Sequence, residues 1–158
     1  MDGYPSKALT LKQPWAWAVL HGKNIENRTW STRLRGWFWI HTSQTMTPDY
    51  YQEVFEYCQE RRLELPAAED IKCGGIVGRA KISKVYPKVP SPTERWHMPN
   101  QYGFVLECVE EVPFVPCKGA RNFWNVSDEV IGELVRLRVP PIREDSGVFP
   151  IEDLCQSQ

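Results

Sequence analysis

The side chains best suited to chemistry lie in the segment Leu9–His41. Between Lys23 and Arg35 the only acidic residue is Glu26, and it stands among four basic residues: Lys23, Arg28, Arg33 and Arg35. Five tryptophans are interleaved with these charges: Trp15, Trp17, Trp30, Trp37 and Trp39. Basic side chains attract a phosphate backbone, and an aromatic ring stacks a base with roughly 1–3 kcal/mol per base. The segment therefore predicts a basic, aromatic cleft for nucleic acid or a nucleotide-like ligand. We expect at most two of the seven tryptophans to be reachable, the others lying in the core.

Lys23 and Glu26 form a second pattern, because they stand three residues apart just after a helix and can face the same space. A lysine beside a carboxylate acts as a base or nucleophile when burial lowers its pKa. The same residues, with Arg28, also suit an ion-pair network or a ligand site without catalysis. An extended chain places Glu26, Arg28 and Trp30 on one side. We therefore predict that Lys23, Glu26 and Arg28 are partly buried, mutually bonded and arranged around a pocket for one base.

Other candidates carry weaker signals. His41 ends a strand and is more often a buried residue at a barrel rim than a ligand contact, and Thr42 and Ser43 reach the same rim. His97 and Trp96 lie in a proline-rich loop, where anchoring of the loop is the simpler interpretation. A further group extends the basic rim: Lys118, Arg121 and Asn122. The five cysteines and three histidines show no metal-ligand spacing, so we expect no metal and no cofactor, and mostly buried, reduced thiols.

The elements that position these residues follow from periodicity and from helix and turn signals. Strands are predicted at Ala8–Leu11, Trp37–Thr42, Ile76–Val85 and Tyr102–Val115. The Ile76–Val85 strand is expected to be half-buried. Helices are predicted from Pro14, at the first helical position, to Leu20, from the cap Thr47 to Arg61–Arg62, and from the cap Ser127 through 128–138. The segment Tyr86–Asn100 is predicted to be a long loop, and the chain after Pro140–Pro141 an irregular edge segment. Strands with short helices between them indicate a small α+β domain around a bent, partly open β-barrel.

Composition limits the class of protein. The 158 residues suit a single domain, and 19 basic against 20 acidic residues exclude a bulk polycation while permitting a local basic patch. The N-terminal residues lack the apolar stretch of a secretory signal, and no apolar run is long enough to span a bilayer. We therefore expect a soluble intracellular, cytoplasmic protein with no membrane partner.

Four motifs in series resemble the ASCH (activating-signal-cointegrator homology) family. They are Leu11–Ala16 (LKQPWA), Lys23–Trp30 (KNIENRTW), Arg35–His41 (RGWFWIH), and Lys118–Gly119 followed by Trp124. The resemblance runs from about Leu9 to Val126, and Gly22 and Lys23 are adjacent where many members have a residue between them. It implies a PUA-like fold over residues 1–158, with a core at 8–126 and a C-terminal helix and tail at 127–158.

The resemblance also implies a site and two activities. The Gln13–Pro14–Trp15 helix start, the Lys23–Arg28 segment and the loop before the second long strand would wall one cleft. The charges, the aromatic residues and the resemblance together predict these ligand-binding residues: Lys12, Gln13, Trp15, Lys23, Glu26, Arg28, Trp30, Arg33, Arg35, His41 and Lys118. The family is associated with RNA metabolism and transcriptional coactivation. One bacterial branch is an amidohydrolase acting on an N-acylated cytidine. Lys23 matches the lysine of that branch, but Glu26 stands where it has threonine, and Glu94 is only a loose match for its later acid.

Three functions stay open from the sequence. The first is a nucleic-acid (RNA or single-stranded DNA) or nucleotide-binding module acting in RNA metabolism or transcription regulation. The second is a small hydrolase that uses Lys23 and Glu26 as catalytic residues on a modified nucleoside or RNA. The third is a protein-interaction module whose basic surface meets an acidic partner, which an exposed apolar patch would favour. The oligomeric state is not determined by the sequence.

Overall fold

The computed structural model describes residues 2–143 of the chain. In chain order these form β1 (Lys7–Leu11), α1 (Trp15–Leu20), β2 (Ile25–Arg28), β3 (Gly36–Thr42), α2 (Pro48–Glu60), a short 3-10 helix (Ala68–Asp70), β4 (Gly75–Tyr86), β5 (Tyr102–Pro116), β6 (Phe123–Asn125) and α3 (Asp128–Arg136). Thr47 and Ser127 begin α2 and α3, because each side chain accepts a hydrogen bond from a backbone N–H of the first turn.

The strands form one curled, half-barrel sheet in the order β2-β5-β4-β3-β1-β6. β1 and β3 are parallel, and the other neighbouring pairs are antiparallel. The long strands β4 and β5 form the middle, with shifts of register where the sheet bends. The sheet therefore has β2 at one end and β1 with β6 at the other, and its curl brings these two ends toward each other. This confirms the predicted α+β, bent and partly open barrel flanked by short helices.

Alternation along the strands divides the core into two sides. Leu9, Phe38 and Ile40 face a cluster that includes two buried residues of α1, whereas Ala8 and Trp39 face a second cluster closed by α3. A third cluster packs α2 against α1, from its first residue Trp15, and against the start of β2. The helices thus cover both faces of the sheet and hold the starts of α1, α2 and β2 together.

Arg79 ties the end of the described chain to the middle of the sheet. Its side chain is 2% exposed and lies near the rings of Trp37 and Trp39, with its guanidinium carbon 5.8 and 5.7 Å from their centroids. Its Nε donates to Glu110 at 2.7 Å, and its Nη1 donates to the Pro140 carbonyl at 2.7 Å. The guanidinium therefore joins β4, β5 and the segment after α3.

The structure corrects two sequence predictions and adds two strands. Residues 25–28 and 123–125, which the sequence does not assign as strands, are β2 and β6, since short segments become strands when a neighbouring edge supplies hydrogen bonds. Pro14 is the residue before the helix rather than its first residue, and its peptide bond to Gln13 is cis. The β4 residues 75–80 are buried, not half-buried, because helices or loops cover both faces of a central strand.

Two predictions extend beyond the described residues. The edge segment predicted after Pro140–Pro141 lies outside them from position 144 onward, so it stays a prediction, as does the single domain over 1–158.

The three free thiols among residues 2–143 are Cys58, which is buried, and Cys73 and Cys117, which are half-buried. Within the same residues, no helix is both long enough and apolar enough to cross a bilayer.

Replacing Arg79 tests the role of its guanidinium. We expect Arg79→Met to lower the free energy of unfolding by about 2–3 kcal/mol, because the Pro140 carbonyl and Glu110 lose a buried donor. Urea denaturation followed by tryptophan fluorescence measures this. Arg136→Met is the control, since it removes only the exposed pair with Glu133, and it should leave the midpoint unchanged. Equal midpoints for Arg79→Met and the wild type would contradict this role.

Candidate functional site

A cleft of about 690 Å³ opens where the two ends of the curled sheet approach each other. Its walls come from β1 and β2, the first turns of α1 and α2, and the loops before β5 and β6. The lining residues are Thr10, Lys12, Trp15, Lys23, Glu26, Asn27, Arg28, Thr29, Trp30, Ser43, Tyr50, Glu53, Val54, Met98, Gln101, Ala120, Arg121 and Asn122. Two of the seven tryptophans, Trp15 and Trp30, therefore face the cleft.

Arg28 joins the two ends of the sheet at the floor of this cleft. Pairing of β2 with β5 extends the backbone, so Glu26 and Arg28 lie on the same face of the strand. Arg28 Nε donates to Glu26 Oε2 at 2.8 Å, and Arg28 Nη2 donates to the Thr10 carbonyl of β1 at 2.8 Å. The guanidinium therefore bridges the open side of the half-barrel. Glu26 Oε1 has no hydrogen-bond partner among residues 2–143, which leaves one carboxylate oxygen for a ligand.

Lys23 is buried beside this pair, with 1% of its surface exposed. Its Nζ donates to the Ile25 carbonyl and lies 5.1 Å from the centroid of the Trp15 ring. Burial lowers the pKa of Lys23, and the nearby Glu26 carboxylate partly opposes that shift. The predicted mutual bonding therefore holds for Glu26 and Arg28 but not for Lys23, which forms no ion pair within the described chain. Its ammonium contacts a carbonyl and a ring because the α1–β2 turn directs it inward.

Trp15 is fixed in the cleft wall by residues of α2. Its indole Nε1 donates to the Tyr50 hydroxyl at 2.7 Å, and its ring meets the edge of Tyr57 with centroids 5.3 Å apart. Lys12 Nζ lies 5.2 Å from the centroid of the Tyr50 ring. Burial raises the pKa of Tyr50, so its hydroxyl stays protonated near neutral pH. The wall is thus an ordered aromatic surface with a cation at its edge.

A hydrogen-bonded chain lies behind Thr10. His41 Nε2 is 2.8 Å from the Cys117 carbonyl, which only accepts, so this nitrogen carries the proton. His41 Nδ1 then accepts from the Thr10 hydroxyl at 3.0 Å, while Trp124 Nε1 donates to the same oxygen. A Cβ at Gly119 would lie 2.5 Å from Thr10 Oγ1, so only glycine lets this loop approach. These hydrogen bonds and the close approach of Gly119 therefore place the next residues, 120–122, in the cleft wall.

The structure brings together about half of the predicted binding residues. Six of them line the cleft: Lys12, Trp15, Lys23, Glu26, Arg28 and Trp30. The weaker candidates Ser43, Arg121 and Asn122 line it as well.

The other predicted binding residues lie outside the lining. Gln13 is buried, with its amide bonded to the Lys72 carbonyl and the Trp17 N–H, and His41 is 1% exposed behind Thr10. Arg33, Arg35 and Lys118 are exposed on the outer surface. Arg35 Nη1 donates to the carbonyls of Thr32 and Leu34, which directs it along its own turn. Ligand contact by these five residues stays a prediction.

The long loop before β5 is anchored by buried side chains, the interpretation that the sequence favours. Its candidates Trp96 and His97 are buried, and His97 Nε2 bonds the Gln101 carbonyl at 2.7 Å, while Met98 and Gln101 line the cleft. Tyr50 was not singled out from the sequence, because it stands beside Tyr51 in one helix and only packing decides which ring faces the cleft. The sequence signal that could have indicated Tyr50 is the cap Thr47, because it fixes the start of α2 and so places Tyr50 in the first turn.

The charges and shape of the lining define its chemistry. Four cationic side chains and two carboxylates line the cleft: Lys12, Lys23, Arg28 and Arg121, with Glu26 and Glu53. Among residues 2–143 no group of three or more histidine, cysteine, aspartate or glutamate side chains could hold a metal ion. The arrangement suits a flat, anionic ligand that stacks on an aromatic ring and offers a hydrogen-bond donor to Glu26.

Comparison with known proteins identifies one family. The ASCH domain family model matches residues 9–119, which run from within β1 through β5 and include all of the cleft-lining residues except the last three. No curated protein sequence matches the chain significantly.

His41 gives the fold a pH dependence. Burial lowers the pKa of His41 in the folded protein below its ordinary value of 6.5. The unfolded chain therefore binds more protons below pH 6.5, so the stabilisation is complete above that pH and declines as the pH falls. We expect the free energy of unfolding, measured in urea from pH 8 to 5.5, to fall below pH 6.5. His41→Gln should be less stable at pH 8 and should show a flatter profile. Profiles of equal slope would contradict this role.

Proposed function

The chain belongs to the ASCH domain family, and from this premise we propose that it binds single-stranded RNA by taking one nucleotide into the cleft. Membership of this PUA-like family suggests RNA binding in broad terms. A base would stack on the ring of Trp15 or Trp30, and the flanking phosphates would meet the cationic side chains at the rim. Single-stranded DNA and free nucleotides share this chemistry and would bind in the same place.

The observation that carries the proposal is the juxtaposition of stacking rings and cations in one concave site. Arg28 has its guanidinium carbon 5.8 Å from the centroid of the Trp30 ring, and Lys12 lies against Tyr50. Stacking is tolerant of sequence because every base has a π-face, while cations track the phosphates. A cleft of about 690 Å³ is also within the usual range for small-molecule sites, roughly 300–1,000 Å³.

The side chains of the cleft walls are ordered in the absence of a ligand, and this further supports binding. Trp15 is held by Tyr50 and Tyr57, and Arg28 is held by Glu26 and Thr10, before any ligand arrives. Side chains that are already fixed lose little conformational entropy on binding, roughly 0.5–1.5 kcal/mol less for each such side chain. The site is therefore suited to a ligand that gains affinity mainly from stacking and charge.

Salt dependence tests the proposal. Three or four phosphate contacts predict a log–log slope of about −2 to −3 for single-stranded RNA. Lys12→Gln with Arg121→Gln, which removes two rim cations, should make that slope less negative by about 1.4. The exposed Arg33 and Arg35 lie outside the lining, so neutralising them should reduce affinity less. Lys84→Gln with Arg138→Gln is the matched control and should change nothing. Fluorescence anisotropy from 50 to 300 mM salt measures these slopes, and a flat wild-type response would contradict the proposal.

One observation favours a second candidate, the hydrolase. Burial lowers the pKa of Lys23 beside Glu26, whose Oε1 has no partner among the described residues, and such a lysine suits a base or nucleophile. In that case Lys23 and Glu26 would hydrolyse an N-acyl group on a nucleoside. The firm bond from Glu26 to Arg28 favours a structural or binding role for Glu26, so we rank this candidate second.

Glu26→Gln separates the two candidates. We expect the substitution to lower the free energy of unfolding by about 1–2 kcal/mol, because Arg28 loses its counter-charge, and we expect no hydrolysis of an N-acylated cytidine by the wild type. Urea denaturation and absorbance of the nucleoside measure these quantities. Wild-type turnover that falls about 10²–10⁴-fold in Glu26→Gln, and also disappears in Lys23→Ala, would establish the hydrolase instead.

A further inference from the structure

A second groove, of about 610 Å³, lies where α2 ends beside the loop that precedes β5. We call it the arginine groove, because three of the five residues that line it are arginines: Glu60, Arg61, Arg62, Glu94 and Arg95. None of these residues belongs to the lining of the cleft. Three arginines that line one open groove suit an anion, and planar guanidinium forks suit phosphate oxygens in particular.

Arg61 is held in place within this groove. Its Nε donates to the Arg95 carbonyl at 2.7 Å and its Nη1 donates to the Tyr57 carbonyl at 3.0 Å. Its guanidinium carbon lies 3.5 Å from the centroid of the Tyr57 ring. Nη2 has no hydrogen-bond partner among residues 2–143. Arg61 is therefore an ordered cation with unused donors in the groove.

The acidic residues of the groove neutralise these cations only weakly. Glu94 Oε1 accepts from the Tyr86 hydroxyl at 3.2 Å, and Glu94 forms no ion pair within the described chain. Glu60 is 3.8 Å from Arg61, and its side chain is 77% exposed, so water screens the pair. Arg62 and Arg95 are exposed and form no ion pair within the described chain. The groove therefore keeps a positive balance of charge.

One aromatic ring separates the arginine groove from the cleft. Tyr57 meets the cleft residue Trp15 edge to face, with centroids 5.3 Å apart, and the same Tyr57 ring carries the guanidinium of Arg61. A strand with a base against Trp15 therefore needs to extend by only a nucleotide or two to bring a phosphate to Arg61.

We propose that the arginine groove binds the phosphodiester backbone of the same single-stranded RNA whose base occupies the cleft. This inference rests on the proposed function and adds to it a second binding site and a path for the RNA strand from the cleft to the groove. The groove recognises phosphate and not base, so it contributes affinity and salt dependence without sequence preference.

The backbone at Arg62 allows a test that leaves the fold intact. Arg62 follows the end of α2 in the left-handed conformation, with φ of 61°, and the N–H of Leu63 bonds back to the Cys58 carbonyl. Arg138 occupies the same position after α3, with φ of 72° and the N–H of Val139 bonded to the Leu134 carbonyl. Glycine adopts this conformation without strain, so Arg62→Gly and Arg138→Gly should each keep or raise the melting temperature. They remove the same charge from the same backbone geometry, one inside the groove and one outside it.

The experiment compares a ten-nucleotide single-stranded RNA with a nucleoside monophosphate, which is too short to reach the groove from the cleft. For Arg62→Gly combined with Arg95→Gln, we expect affinity for the RNA to fall about 10-fold at 100 mM salt. The log–log salt slope should become less negative by about 1.4, for two lost contacts. Affinity for the nucleoside monophosphate should not change, and Arg138→Gly should bind both probes like the wild type.

Two results would overturn the inference while leaving the proposed function in place. One is unchanged RNA affinity and salt slope in the double variant while the wild type binds both probes. The other is unchanged RNA affinity together with lost binding of a polyglutamate peptide, which would assign the groove to an acidic protein segment. If the wild type binds neither the RNA nor the monophosphate, the proposed function fails and this inference fails with it.

Discussion

The candidate site depends on a single guanidinium that spans the open side of the half-barrel. β2 and β1 are separated by three strands in the sheet order, yet Arg28 of β2 donates to the carbonyl of Thr10 in β1. The Glu26 carboxylate fixes the same guanidinium from its own strand. Trp30 continues this closure, because its ring meets the edges of Phe104 in β5 and Phe123 near the other end. The cleft exists because these contacts hold the ends of the sheet close together without joining them by backbone hydrogen bonds.

This closure explains why charged groups are buried in the cleft wall. Lys23 lies where α1 turns into β2, so the pairing of β2 with β5 carries it inside, where it contacts the Ile25 carbonyl and the Trp15 ring. Desolvating an ammonium group without a paired carboxylate is costly, and such groups are retained mainly at functional positions. The lowered pKa of Lys23 and the fixed positions of Trp15 and Arg28 therefore belong to one arrangement. Its flat rings, cations and one open carboxylate oxygen match the parts of a nucleotide.

The sequence predicts the long elements well, because their signals are local. Alternation and caps place β3, β4, β5, α2 and α3 within a few residues of their observed bounds. The sequence indicates an extended chain at Glu26 and Arg28 but does not assign β2 or β6 as strands, since segments of four and three residues are too short to show a period and pair only with partners distant in the chain. The site shows the same division. Glu26 and Arg28 follow from alternation along one strand, whereas Tyr50 faces the cleft, and Gln13 and His41 lie inside the fold, through packing between elements that no local pattern records.

The most direct test of the cleft as the nucleotide site is an NMR titration of the tryptophan indole N–H resonances with a nucleoside monophosphate. These resonances report separate places, because Trp15 and Trp30 line the cleft while the indole of Trp39 is buried and donates to the Pro5 carbonyl. Stacking of a base predicts that the Trp15 or Trp30 resonance, or both, shift with a saturable concentration dependence, while that of Trp39 stays in place. Saturable binding with no change at Trp15 or Trp30, and shifts confined to residues outside the cleft, would contradict the account.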